Sequence, residues 1–136
     1  MRYLLINHVP FGVGSSPGTF RVGDMWLEDL RAQAKAIRDA GLELVVATPL
    51  MEKLEHSGSF NSIEIRSEEY GFAYEPIPFY ISLRQFMKVK GELIGRLAQV
   101  IKTADIIHCG YGGHPVALGE MAWPLAAKFG KKRIWI

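Results

Sequence analysis

Cysteine occurs once in the 136 residues, at Cys109. One thiol excludes an intramolecular disulfide framework and a cysteine-rich metal site, and it suits a reducing compartment, so the reading is cytoplasmic. Long apolar runs are missing as well. The opening MRYLLINHVP is broken by Asn7 and His8, too early for a signal peptide, and no run approaches the ~20 residues of a membrane span. Nor does one sign of charge prevail: 16 basic and 14 acidic residues leave a net +2, which excludes a polyelectrolyte that binds nucleic acid by charge alone. The carboxylates show no clustered ligand spacing, so no metal is expected. Internal repeats, low-complexity segments and a dividing linker are all lacking, and residues 1–136 read as one domain. What is present, 49% hydrophobic and 22% charged residues, is the composition of a globular domain.

Apolar and helical periods alternate along the chain. Tyr3 to Ile6 is a continuous apolar run, as in a strand buried on both faces. Asp24 can cap a helix whose Leu27, Leu30, Ala34 and Ile37 recur at three- and four-residue spacing, and Gly41 can end it. Leu42 to Thr48 is the next strand, stopping at Pro49, which completes a strand–helix–strand crossover. Met51 to Tyr70 mixes charges, serines and glycines, with strand-like alternation only from Ile63 to Arg66. In YGFAYEPIPFY, Tyr70 to Tyr80, the prolines exclude a central strand except at its ends. Leu83 to Thr103 keeps a helical period that Gly91 and Gly95 weaken, and its Arg84, Lys88, Lys90, Arg96 and Lys102 suit peripheral contact with a membrane. ADIIHCG is another strand, Pro115 to Phe129 another helix, and KKRIWI a further strand that leaves the sheet incompletely covered. The order predicts an α/β, Rossmann-like open parallel sheet with helices on both faces.

In such sheets ligands bind beyond the carboxyl ends of the strands. Two loops rich in glycine are expected there: FGVGSSPGTFRVGD, Phe11 to Asp24, and HCGYGGHP, His108 to Pro115. Backbone N–H groups at these turns and the N-termini of the following helices favour a phosphate or other anion, with Arg21 as an added cation. The dinucleotide fingerprint is not met, because GVGSSPG supplies Gly12 and Gly14 but puts Pro17 where the third glycine belongs. No acidic residue ends the second strand to hold a ribose, so a nicotinamide cofactor is not expected. No glycine-lysine-serine/threonine run supplies a Walker loop either. His8 ends the first strand beside the first loop, and His114 stands in the second, where an imidazole can orient a sugar or phosphate. His108 reads instead as a hydrogen-bonded residue of the core, and Cys109 as a small buried one.

INHVPFGVGSSPGTFRVGDMWLEDLRAQAKAIRDAGLELVVATP resembles the amino terminus of retaining GT-B glycosyltransferases of the family-4 type, and ADIIHCGYGGHPVALGEMAWPLAAKFGKKRIWI is similar to their fourth-strand region. The resemblance implies two Rossmann-like domains facing a cleft, with residues 1–136 as the amino-terminal, acceptor-side domain, incomplete at its C-terminus, and a missing C-terminal donor domain. It further implies transfer of a sugar from a nucleotide-sugar, a substrate rather than a cofactor, to an acceptor hydroxyl. The glycine pair that approaches the donor diphosphate in the family matches Gly14 and Ser15, with Gly18 able to supply the close approach. The family's histidine after the fourth strand matches Gly110, which leaves His114 as the substitute catalytic candidate beside Gly112 and Gly113. The chain alone is then expected to be inactive. The competing expectation is a non-catalytic Rossmann-like module for a nucleotide or phosphorylated metabolite, and a nicotinamide enzyme stands third.

Overall fold

The computed structural model describes residues 1–52, 61–110 and 116–135. Its backbone is a parallel sheet. β1 (Arg2–Ile6) buries Leu4, Leu5 and Ile6 completely, as a strand covered on both faces must. α1 (Asp24–Asp39) follows the short strands β2 (Phe11–Val13) and β3 (Phe20–Gly23), and it leads into β4 (Glu43–Met51). Then come β5 (Ser62–Ile65), a single 3-10 turn over Ser67–Tyr70, β6 (Phe72–Pro78), α2 (Leu83–Thr103), β7 (Ile106–Cys109), α3 (Leu118–Lys128) and β8 (Lys132–Trp135). The parallel ladder runs β6–β4–β1–β7–β8. Numbered among themselves these five strands lie in the order 3-2-1-4-5, so the order reverses at β1, between β4 and β7.

The two faces of the ladder take alternate residues, because successive side chains of a strand point to opposite sides. Leu4, Ile6, Val45, Ala47, Ile107 and Cys109 pack with α2 and α3. Leu5, Leu44 and Val46 pack on the other side with Leu27, Leu30 and Ala34 of α1. The expected open, mostly parallel sheet with helices on both faces is therefore what forms, and burial of each of the valine, leucine and isoleucine side chains among these contributes about 1.5–3 kcal/mol relative to leaving it in water.

Phe11 to Asp24 is not one open loop. Phe11 and Val22 are fully buried in the α1-side core, and β2 and β3 pair antiparallel as a hairpin. β2 continues along β4 beyond the end of β1, with Phe11 opposite Leu50, while β5 extends the hairpin on its outer side. β4 likewise does not stop before Pro49. Its pairing with β1 ends at Ala47 and that with β2 begins at Leu50, so proline, which has no N–H to donate, falls in the gap between two partners. Pro76 and Pro78 lie in β6, which pairs only with β4 among the described residues and so is an edge strand, where proline is tolerated. At α1 the cap residue is Gly23, and Asp24 is the first helical residue, its Oδ1 accepting from the Met25 N–H at 2.7 Å. Gly41 ends the helix with φ +79, and α3 begins at Leu118 rather than Pro115.

Candidate functional site

The hairpin tip holds four of the residues singled out by sequence. Pro17 and Gly18, with φ +81 at Gly18, occupy the centre of a turn closed by the Thr19 N–H donating to the Ser16 carbonyl at 3.2 Å, the pattern of a type II turn. The Gly14 N–H donates to the Thr19 carbonyl at 3.0 Å. A Cβ on Gly14 would lie 2.1 Å from Thr19 Oγ1 and 2.6 Å from its carbonyl carbon. Glycine at 14 is thus required by the hairpin itself. Ser15 gives both its donors to one carboxylate: its N–H to Glu64 Oε1 at 2.9 Å and its hydroxyl to Oε2 at 2.7 Å. Arg21 donates from Nε to Ser62 Oγ at 2.8 Å and from Nη2 to the Ser62 carbonyl at 3.1 Å, and Nη1 stands 3.9 Å from Glu64 Oε1. The Ser15 hydrogen bonds, with a smaller part from Arg21, hold the Glu64 carboxyl below its usual range. Where a diphosphate was expected, the tip therefore already carries an anion with its donors aimed inward, and a second anion there would be repelled.

The reversal of strand order makes a second place. At the end of β1 the Asn7 N–H donates to the Ala47 carbonyl at 3.1 Å, and Asn7 Oδ1 accepts from the Val9 N–H at 3.0 Å. The chain leaving β7 passes close by: the Gly110 N–H donates to the Ile6 carbonyl at 2.8 Å, and a Cβ on Gly110 would meet Asn7 Nδ2 at 2.8 Å. His8 is exposed beside them, with no hydrogen-bond partner among the described residues. Asn7, His8 and Gly110 so stand together at the carboxyl ends of β1 and β7. Gly112, Gly113 and His114 lie outside the described residues.

His108 is half-buried, as its place at the end of an apolar strand predicts, but the sequence does not name its partner. Tyr3 on the neighbouring strand has its hydroxyl 2.7 Å from His108 Nδ1, with the rings edge-on at 89°. Burial lowers the His108 pKa and raises that of Tyr3. A neutral imidazole accepting at Nδ1 from the phenol fits both shifts and places the ring proton on Nε2. Cys109 is fully buried and its thiol is pushed up to about 11, so it is inert as a nucleophile at neutral pH. A cleft of about 250 Å³ by Arg2, Glu75, Arg96 and Thr103 lies away from this crevice. Its arginines are spoken for, Arg2 by Glu43 at 3.1 Å and Arg96 by Glu92 at 3.3 Å.

No protein-family model and no curated protein matches the sequence. Among solved structures, the crystal structure of the C-terminal domain of a hydrogenase from Pyrococcus furiosus is similar over 98% of this chain and 89% of its own, with a TM-score of 0.57 at 13% identity. A likeness at that identity is one of fold, and folds of this kind host unrelated functions. It supports the Rossmann-like architecture and carries no ligand across.

Four residues of these arrangements were not singled out by sequence: Asn7, Ser62, Glu64 and Tyr3. Asn7 had a signal, a polar residue directly after a buried strand, where ligands of parallel sheets bind. Ser62, Glu64 and Tyr3 had none, since each acts through a partner 41, 49 or 105 residues away.

Proposed function

We propose that this chain is the acceptor-side, Rossmann-like domain of a glycosyltransferase that moves a sugar from a nucleotide-sugar to an acceptor hydroxyl, with its ligand in the crevice between the carboxyl ends of β1 and β7. The observation that carries the placement is the convergence of Asn7, His8 and Gly110 at the reversal of strand order. The sugar chemistry rests on the resemblance of INHVPFGVGSSPG and ADIIHCGYGG to the GT-B enzymes. An exposed imidazole and a side-chain amide beside a close backbone turn suit the hydroxyls of a sugar, which both donate and accept. Stabilising the negative charge that develops on a departing diphosphate falls to a second, donor-binding domain, as the resemblance implies. The hairpin between β1 and α1 then serves as a wall of the crevice, not as the diphosphate cradle.

A second reading, a non-catalytic module for a nucleotide or phosphorylated metabolite in the same crevice, gains from one observation: Ser15 and Arg21, the groups expected to meet the donor diphosphate of a transferase, are engaged by Glu64 and Ser62 of β5. Amide NMR of the full chain titrated with a uridine diphosphate sugar separates the two. Millimolar binding, equivalent to about −4 kcal/mol, with shifts at Asn7, His8 and Gly110 that the nucleoside monophosphate does not reproduce supports the transferase reading. Equal shifts with the monophosphate favour the module, and shifts confined to Ser15–Thr19 overturn the placement.

A further inference from the structure

The apolar stripe of α2 is wider than the sheet it covers. Phe86, Leu93, Leu97, Val100 and Ile101 face the core. Towards the N-terminus, Leu83 and Met87 are 60% and 62% exposed, and Ile81 just ahead of the helix is 66% exposed. Leu83 and Met87, four residues apart, lie one above the other on a flank of the helix. Arg84 and Lys88 follow them by one residue each and make a parallel row about 100° further round. With Lys90 they give the segment 81–91 three cations and no carboxylate. None of the three forms an ion pair among the described residues.

Neither feature helps the isolated fold. Large aliphatic side chains in water forgo their transfer free energy, and Arg84, in the first turn of α2, opposes the partial positive charge there, a place where acidic residues are the stabilising choice and α2 has none. We propose that the N-terminal half of α2 docks this domain on an anionic lipid bilayer, with Ile81, Leu83 and Met87 entering the acyl boundary and Arg84, Lys88 and Lys90 among the headgroups. The two lysines, Lys88 and Lys90, favour a bilayer over a protein partner. Protein interfaces are depleted in lysine, whereas helices lying in a membrane surface set lysine and arginine beside their apolar face, the long stems letting the charges reach the headgroups. No helix among the described residues is long and apolar enough to cross a membrane, so this contact is peripheral. Because α2 follows the end of β6, its N-terminus lies at the carboxyl edge of the sheet, and docking turns that edge towards the lipid. The inference does not depend on sugar transfer.

Flotation of the full chain with vesicles of phosphatidylcholine and phosphatidylglycerol, roughly 7:3, tests it. The protein is expected to float with these vesicles at about 50 mM salt, to float less at about 300 mM, and to ignore pure phosphatidylcholine. Arg84→Gln with Lys88→Gln should lower partitioning about fivefold for each cation removed. Leu83→Ser with Met87→Ser should abolish it without moving the unfolding midpoint, since both side chains are exposed. No flotation with anionic vesicles at low salt, or flotation unchanged in both variants, overturns the proposal. So does a concentration-dependent dimer that the Leu83→Ser, Met87→Ser variant dissolves while vesicles remain unbound, because the patch is then a contact between copies of this chain.

Discussion

Gly14 and Gly18 belong to one hairpin turn but are glycine for different reasons. At Gly18 the backbone has φ +81 and the space is open apart from an Arg66 side-chain nitrogen 3.4 Å from a built Cβ. At Gly14 the dihedral is ordinary and the space is missing. Gly18→Ala is therefore expected to cost about 1 kcal/mol from the left-handed conformation alone. Gly14→Ala should cost about 1–3 kcal/mol, because the Thr19 backbone must move. Thermal unfolding of the two variants checks the order, and a Gly14→Ala protein as stable as the parent would mean that the hairpin opens freely. His108 makes a second prediction at this scale. Its folded pKa lies below the unfolded value of about 6.5. Above that pH both states are neutral and the residue adds no pH dependence. As pH falls below about 6.5 the unfolded chain takes up the proton first, so stability is lost on acidification. Imidazole NMR should give a midpoint below 6.5, and His108→Gln should remove this part of the acid sensitivity. A midpoint above 6.5 would contradict the neutral ring accepting from Tyr3.

Among the elements, α2 shows how a helix can carry poor helix formers and still form. Gly91 and Gly95 sit in its interior, and a Cβ at either would have no atom within 4 Å. No close packing asks for glycine at these positions. The helix forms because Leu93, Leu97 and Ile101 are fully buried against the sheet, tertiary burial outweighing the propensity deficit. Gly91→Ala and Gly95→Ala are each expected to stabilise the protein by about 0.5–1 kcal/mol, read as a raised denaturant midpoint. A loss of stability at either position would point to a partner that needs the small residue. β4 shows the opposite case, a strand that runs through a proline because of where its neighbours end. The serine cap of α2 is simpler: Ser82 Oγ accepts from the Gln85 N–H at 3.2 Å, a local bond within reach of local pattern.

At the scale of the whole molecule, the sheet separates two cores that share few side chains. Leu30 belongs to the α1 side and Ile101 to the α2 and α3 side. Leu30→Ala is expected to cost about 2–5 kcal/mol and Ile101→Val about 0.5–1.5 kcal/mol. Across the sheet their effects should add to within about 0.5 kcal/mol, as measured by denaturant unfolding of both single variants and the double. A larger coupling would mean that strain passes through the strands. The partition also explains how legible the fold was. Strand, helix and strand succeeded one another with clear periods from Tyr3 to Thr48, and Leu83 to Thr103 formed a helix with those bounds. Phe11 and Val22 misled, since two short strands flanking a glycine-rich turn look like one loop until the free length of β4 gives them a partner.

The sequence by itself determined the class of fold, because burial on both faces writes continuous apolar runs and burial on one face writes a helical period, and both are local patterns. It also determined that Gly41 would end the first helix, a local signal of glycine after the last helical turn. Only the tertiary structure decided the strand order, which depends on which edges remain open after each crossover. With it came the meeting of Asn7, His8 and Gly110 at one crevice. Tertiary structure alone, too, engaged Ser15 and Arg21 with Glu64 and Ser62. Whether a donor faces a ligand or another residue depends on what the fold brings opposite it, and hydrogen-bond partners over 40 residues away leave no mark on local sequence.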